Sequence, residues 1–293
     1  MYGIALETHL RSLGYTNILP EPDYRNDTDV DHFFEFEHPE YVFIVGGMSG
    51  GIQANQNHPV DLIRDNLAIV NNIIPTAHAA GVAKLLYLAS SCVYPRECTQ
   101  PMEESFVMTG PLEPTNHAYA TAKLAGLAMV KAFRDQYGAR FISAVPTNTY
   151  GPGDAFDPEN SHVVASLIRR MDEAKSMGAP SIEIWGTGKP KREFMHVDDL
   201  ARGCVFMMEN YDDDLPLNMG CGESMTIAAL AGTIKEIVGY EGDLEFDTTK
   251  PDGMPEKELD STRINQLGWN AETSFEEGIR STYDWYQHSV QSR

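Results

Sequence analysis

The residues best suited to chemistry begin with Tyr119 and Lys123 in the run YATAK. Four positions apart, they lie on one face of a helix. A phenol titrating near about 10 is a poor acid at neutral pH, and a nearby ammonium favours its ionised form. Such a pair can pass a proton to or from a substrate oxygen while hydride moves to or from the attached carbon. Alone, the Y-x-x-x-K spacing is weak, because most such pairs are ordinary surface residues. Ser90 strengthens it. It ends KLLYLASS (84–91), which reads as a strand, and ligands bind at the C-terminal ends of parallel strands. A hydroxyl there can hydrogen-bond a substrate carbonyl beside the tyrosine, although a strand-end serine also serves merely to satisfy backbone groups. Together the three residues point to reduction of a carbonyl with a nicotinamide cofactor.

The elements that must position them alternate short apolar runs with longer helical stretches, the signature of a parallel sheet flanked by helices. YVFIVGG (41–47) reads as a buried strand entering a glycine turn, residues 60–80 and 116–137 as helices, and RFISAVPTNTYGP (140–152) as a strand ending in a loop. SHVVASLIRRMDEAK (161–175) reads as a helix capped by Asn160 or Ser161. IEIWG (182–186) is a short strand, MTIAALAGTIKEIVG (225–239) a helix, and a last helix runs from about Ser274 to His288. The expected fold class is α/β, a doubly wound, Rossmann-like parallel sheet with a smaller α+β C-terminal substrate domain. The dinucleotide domain is expected over 1–152 and about 194–220, the substrate domain over 153–193 and about 221–293.

Such a domain starts with a strand, a glycine-rich turn, and a helix whose N-terminus holds a pyrophosphate. Here Met1 falls directly at that helix, whose pattern Gly3, Ala5, Leu6, Leu10 and Leu13 follow. No strand precedes it and no complete G-x-x-G-x-x-G is present; Gly3 is at best the motif's last glycine. The expectation is that the true start lies upstream of Met1. The first strand's place, expected beside KLLYLASS, is then either an unfilled seam or taken by another segment.

Bulk properties narrow the function. The 293 residues suit one large domain or two interlocked ones. A net charge of −21 argues against a nucleic-acid binder, which needs a basic face. It fits a highly soluble surface or a salty milieu, and a few local arginines can still dominate a phosphate pocket. No apolar run approaches the roughly 18 residues of a membrane span, and no signal peptide is evident. Cys92, Cys98, Cys204 and Cys221 are scattered without metal-ligand spacing, so a reduced, cytoplasmic chain without a metal site is expected.

Longer motifs carry a resemblance. KLLYLASSCVYP (84–95), PLEPTNHAYATAK (111–123), PTNTYGPGDAFDPENSHVVASLIRR (146–170), IWGTGKPKREFMHVDD (184–199) and KPDGMPEKELDSTR (250–263) together resemble the extended short-chain dehydrogenase/reductases. Within them the chain is most similar to the GDP-L-fucose synthases, NADPH-dependent 3,5-epimerase/4-reductases of GDP-4-keto-6-deoxy-D-mannose, from about Met1 to Tyr286. Epimerisation beside a ketone needs an acid/base pair distinct from Tyr119. The resemblance assigns Cys92 and His162 to it. It implies cofactor binding by Gly3, Tyr119, Lys123, Asn148 and His162, and anchoring of the GDP-sugar by Arg170, Trp185, Arg192 and Lys257. Helix geometry alone would favour residue 169 over 170 on the face of His162; the resemblance points to Arg170.

The family's arginine for the NADP 2′-phosphate, expected after the second strand, has no counterpart in NILPEP (17–22), and Arg25 is only a candidate substitute. NADP is therefore expected with NAD not excluded. VGGMSGG (45–51) differs from the family's loop, and Glu256 stands where a basic residue is common. The resemblance also implies a homodimer through two long helices, one carrying Tyr119. Alternatives are an epimerase/reductase of another GDP-4-keto sugar, of colitose or heptose type, and a redox-inactive sugar-nucleotide-binding protein lacking the cofactor loop.

Overall fold

The computed structural model describes residues 1–19, 22–158, 161–250 and 252–291. It opens on α1 (Tyr2–Ser12), α2 (Asp27–Glu37) and β1 (Tyr41–Ile44). Next come α3 (Ile52–Asn57), α4 (Pro59–Ala79), β2 (Lys84–Leu88), α5 (His117–Tyr137) and β3 (Phe141–Pro146). The second half contains β4 (Asn148–Tyr150), α6 (Val163–Met177), β5 (Ser181–Trp185), β6 (Lys191–His196) and α7 (Val197–Asn210). It continues with β7 (Leu217–Met219), β8 (Ser224–Thr226), α8 (Ile227–Val238), β9 (Asp243–Asp247) and β10 (Glu256–Lys257). The helices α9 (Thr262–Leu267) and α10 (Phe275–Gln291) close the chain.

Two-residue alternation explains the central sheet. Leu86 and Leu88 of β2 join one core while Leu85 and Tyr87 join the opposite one. Both faces are apolar, so both need helices. α1 and α7 cover the first, and α2, α4 and α5 the second. The four strands are parallel in the order β1-β2-β3-β7, as a doubly wound sheet requires. At Thr147 the chain leaves this sheet. β4 then pairs with β6, which also carries β10 and β8, while β5 pairs with β9. A third core of α6, α8, α10 and these strands lies here. Lys84 is buried at the start of β2, where its ammonium donates to the carbonyls of Met207 (3.3 Å) and Met208 (2.6 Å). A cation there meets the negative end of the α7 dipole.

Four sequence expectations change. The strand at 41–47 ends at Ile44 and is an edge rather than a buried strand; of its residues only Ile44 is buried. The place beside KLLYLASS is no seam, because β2 is paired on both sides, by β1 and β3. Among the described residues no strand pairs with the outer edge of β1, and none forms at 16–19. Finally, α6 is capped by His162 rather than Ser161; Asn160 lies outside the described residues, as do residues 20 and 21 of NILPEP. No helix among the described residues is long and apolar enough to cross a membrane.

Candidate active site

The C-terminal ends of β1, β2 and β3 meet the N-terminus of α1 around a cleft of about 880 Å³. Gly3, Ser90, Cys92, Tyr119, Lys123 and Asn148 line it, and so do His162, Arg170, Trp185, Arg192 and Lys257. Residues spread over 255 positions of sequence thus reach one space.

The first group lies where β2 ends. Ser90 has extended backbone, and its hydroxyl accepts the Cys92 N–H at 3.3 Å. Tyr119 and Lys123 project from the first two turns of α5. The Lys123 ammonium donates to the Leu88 carbonyl at 3.0 Å and stands 5.9 Å from the Tyr119 ring centre. Burial lowers Lys123 from its ordinary 10.5 to about 8. Burial also raises the Tyr119 phenol well above its ordinary value, with Cys92 and Tyr2 adding to the rise and a hydrogen bond to Ser90 opposing it. Desolvation is thus the largest influence on the phenol. Tyr119 is held protonated, the state from which it can donate to an oxygen.

Cys92 follows in a tight turn over Ser91–Val93. Its sulfur accepts from Asn116 Nδ2 at 3.1 Å and Lys257 Nζ at 3.4 Å. Lys257, expected as a substrate anchor, thus also touches the thiol. His162 caps α6 without a side-chain capping bond. Near it, burial raises the Asp154 carboxyl, and the interaction with His162 opposes that rise. Asp154 Oδ2 is buried and finds no partner among the described residues.

Cations gather at the far side. Lys257 of β10 lies opposite Arg192 of β6 in register. Arg192 donates to the Lys191 carbonyl at 2.7 Å, and burial lowers its pKa. Arg170 donates to the Glu183 carbonyl on β5 and is likewise lowered by burial. Both 169 and 170 border the cleft, but Arg169 is paired with Glu173 at 2.9 Å. That leaves Arg170 the less neutralised of the two. Trp185 is 56 % exposed with Lys250 5.4 Å above its ring. Asn148 donates to the Glu193 carbonyl at 3.0 Å. An acidic chain thereby presents a local cationic wall, which suits a diphosphate.

Several lining or supporting residues went unread in the sequence. Tyr2 follows Met1 at the start of α1; burial pushes its phenol up to about 12, against a hydrogen bond to Thr149. Glu193 is fully buried beside Arg192 and accepts from Gly222 N at 2.8 Å and Leu259 N at 3.1 Å. An acid inside the apolar half of REFMH was its only signal. Asn116 stood three residues before Tyr119 and read merely as a helix start.

The residues fit a dinucleotide. α1 has no side-chain cap, so its first N–H groups are available to a phosphate, and a Cβ on Gly3 would meet nothing within 4 Å. Gly47 has φ +152, and a Cβ there would stand 2.6 Å from Asn66 Oδ1 and 3.4 Å from Lys123 Nζ. Only glycine lets this loop pass so close. Arg25 is paired with Asp23 at 3.0 Å and does not line the cleft. Among the described residues no group of three or more His, Cys, Asp or Glu could hold a metal ion.

Residues 6–221 match the NAD dependent epimerase/dehydratase family. GDP-L-fucose synthase 1 of Arabidopsis thaliana is 47% identical over 100% of this chain and 92% of its own length. A GDP-L-fucose synthetase from Naegleria fowleri, solved with NADP, superposes with a TM-score of 0.91 at 27% identity, over 99% of this chain and 92% of that one. A GDP-6-OMe-4-keto-L-xylo-heptose reductase from C. jejuni does so with a TM-score of 0.94 at 32% identity, over 98% and 95%. In sequence and in fold, this chain belongs to the NAD dependent epimerase/dehydratase family.

Proposed function

We propose that this protein epimerises GDP-4-keto-6-deoxy-D-mannose at C3 and C5 and reduces it at C4, giving GDP-L-fucose. The observation that carries the reading is the meeting of two proton-handling sets in one cleft: Ser90, Tyr119 and Lys123, and beside them Cys92 and His162. A reductase alone needs only the first. The full-length similarity to GDP-L-fucose synthases supports the choice of sugar.

In this reading Arg170, Arg192 and Lys257 hold the diphosphate end and Trp185 covers the nucleotide side. One of Cys92 and His162 removes a proton made acidic by the C4 ketone, and the other returns one from the opposite face. Ser90 then hydrogen-bonds the C4 oxygen and Tyr119 gives it a proton. A bound nicotinamide supplies the hydride. Lys123, Asn148 and the start of α1 at Gly3 orient that cofactor.

NADP is the proposed form, supported by the NADP-bound neighbour. With Arg25 held by Asp23, discrimination against NADH is expected to be modest. We further propose a cytoplasmic homodimer through α4 and α5, on which Leu67, Ile73, Leu124 and Met129 remain only partly buried. The division into a dinucleotide domain (1–152, about 194–220) and a substrate domain (153–193, about 221–293) is retained as a proposal, although its boundary near 194 falls inside β6.

The test is direct. Purified protein with NADPH and GDP-4-keto-6-deoxy-D-mannose is expected to yield GDP-L-fucose by NMR. Absence of nicotinamide oxidation, or faster turnover of a GDP-4-keto-heptose, would overturn the assignment.

A further inference from the structure

Asn116 occupies the N-cap of α5, three residues before Tyr119, yet it does not cap the helix. An asparagine there ordinarily accepts an N–H of the first turn, a bond worth about 1 kcal/mol. Here the backbone is at φ −132 and ψ 22, and no side-chain capping bond forms. The amide is turned instead toward Cys92, with Nδ2 3.1 Å from Sγ. Its other end is left without compensation: Oδ1 is buried and has no hydrogen-bond partner among the described residues, and the residue lines the cleft. A buried acceptor without a donor is destabilising, and such groups in native folds call for an explanation. A missing ligand donor supplies one.

The surroundings favour that explanation over a packing accident. Cys92 already has a cationic partner, Lys257 Nζ at 3.4 Å from the sulfur. The ammonium sits on a long flexible stem and fixes no direction. The Asn116 amide is short, planar and anchored at a turn whose own bonds are made, with Asn116 N donating to the Glu113 carbonyl at 3.3 Å. It can therefore set where the sulfur points. Resting on the reading proposed above, we infer that Asn116 is a positioning residue for epimerisation. Its Nδ2 aims the Cys92 sulfur at the sugar, and its Oδ1 accepts a hydroxyl of that sugar.

Asn116→Ser separates this role from a structural one, because serine is itself a good N-cap. The variant is expected to melt at or above the wild-type temperature and to bind NADPH with unchanged affinity. Solvent-deuterium incorporation into GDP-4-keto-6-deoxy-D-mannose is expected to fall by about tenfold or more, as misplacing the sulfur relative to the sugar implies. Asn116→Ala should show the same loss with a lower melting temperature. Wild-type incorporation in the serine variant would overturn the inference, and so would a large drop in its melting temperature.

Alkylation by iodoacetamide, followed at each cysteine by peptide mass spectrometry, needs no substrate. It is expected to slow at Cys92 in the serine variant while Cys98 keeps its rate. If wild-type protein incorporates no deuterium, the functional reading fails on its own. The alkylation rates still decide on Asn116, since equal rates at Cys92 in both proteins would refute its hold on the sulfur.

Discussion

Desolvation treats the two ends of the Tyr119–Lys123 pair oppositely, keeping the phenol protonated and making the ammonium easier to lose. Lys123 releases its proton at about 8 in the folded chain and at 10.5 in the unfolded one. Between those values the unfolded state holds the extra proton, so this group alone makes the fold more stable as pH rises through that window. Function runs the other way. The ammonium is complete only below about pH 8, so kcat/KM for NADPH is expected to decline as pH rises through that value; a flat profile would refute the role of Lys123. Tyr119→Phe is expected to lower the rate of C4 reduction by about 10²–10⁴-fold. Deuterium exchange at C3 and C5 should persist, because Cys92 and His162 are untouched. The reduction set was legible in sequence because strand end, helix and i+4 spacing are local facts. The environment of Cys92 was not, since Asn116 and Lys257 reach its sulfur from 24 and 165 residues away.

At the scale of elements, α5 holds the chemistry and its seat on β2 is tight. Gly126 lies inside this helix, where glycine ordinarily costs about 0.5–1 kcal/mol relative to alanine. Its reason is close approach: a Cβ would stand 2.2 Å from Tyr87 Cζ. Tyr87 in turn donates to the Lys123 carbonyl at 3.3 Å. Gly126→Ala is therefore expected to destabilise by about 1–3 kcal/mol in thermal unfolding and also to lower kcat, because displacing α5 moves Tyr119 and Lys123 together. An unchanged melting temperature would show that the contact is soft. Most elements were readable from periodicity, α4 and α5 to within a residue and β2 at its start, though it ends at Leu88 rather than Ser91. The strand at 41–47 misled because apolar composition does not tell an edge from a centre. Its burial depends on what lies beside it, which is a tertiary fact.

The whole molecule carries 43 acidic and 22 basic side chains, so 21 acidic charges have no basic counterpart. Added salt screens both the surface ion pairs, such as Arg11–Glu7 and Lys131–Asp135, and the repulsion among the excess acids. Exposed pairs are worth about 0–1 kcal/mol each, whereas the repulsion acts among all the unpaired charges. Repulsion should win. The melting temperature is expected to rise as ionic strength goes from about 0.01 M to about 0.15 M, over which the screening length shrinks from about 30 Å to about 8 Å. A fall would mean that the ion pairs dominate. Acidity was fully visible in the composition; that three cations would converge on one wall came only from the family resemblance, since Arg170, Arg192 and Lys257 belong to three different elements.

Along β1 the backbone N–H groups alternate between β2 and the outer edge. Those facing β2 are locked, while no strand among the described residues pairs with the outward ones among residues 41–44. In deuterated buffer, uptake along this strand should therefore alternate residue by residue, while β2, flanked on both sides, stays dark far longer. The sheet then unzips from the side that leads into Gly46 and Gly47 at the cleft. A cofactor seated between those glycines and α1 would slow exchange at 41–44 and leave 84–88 as it was.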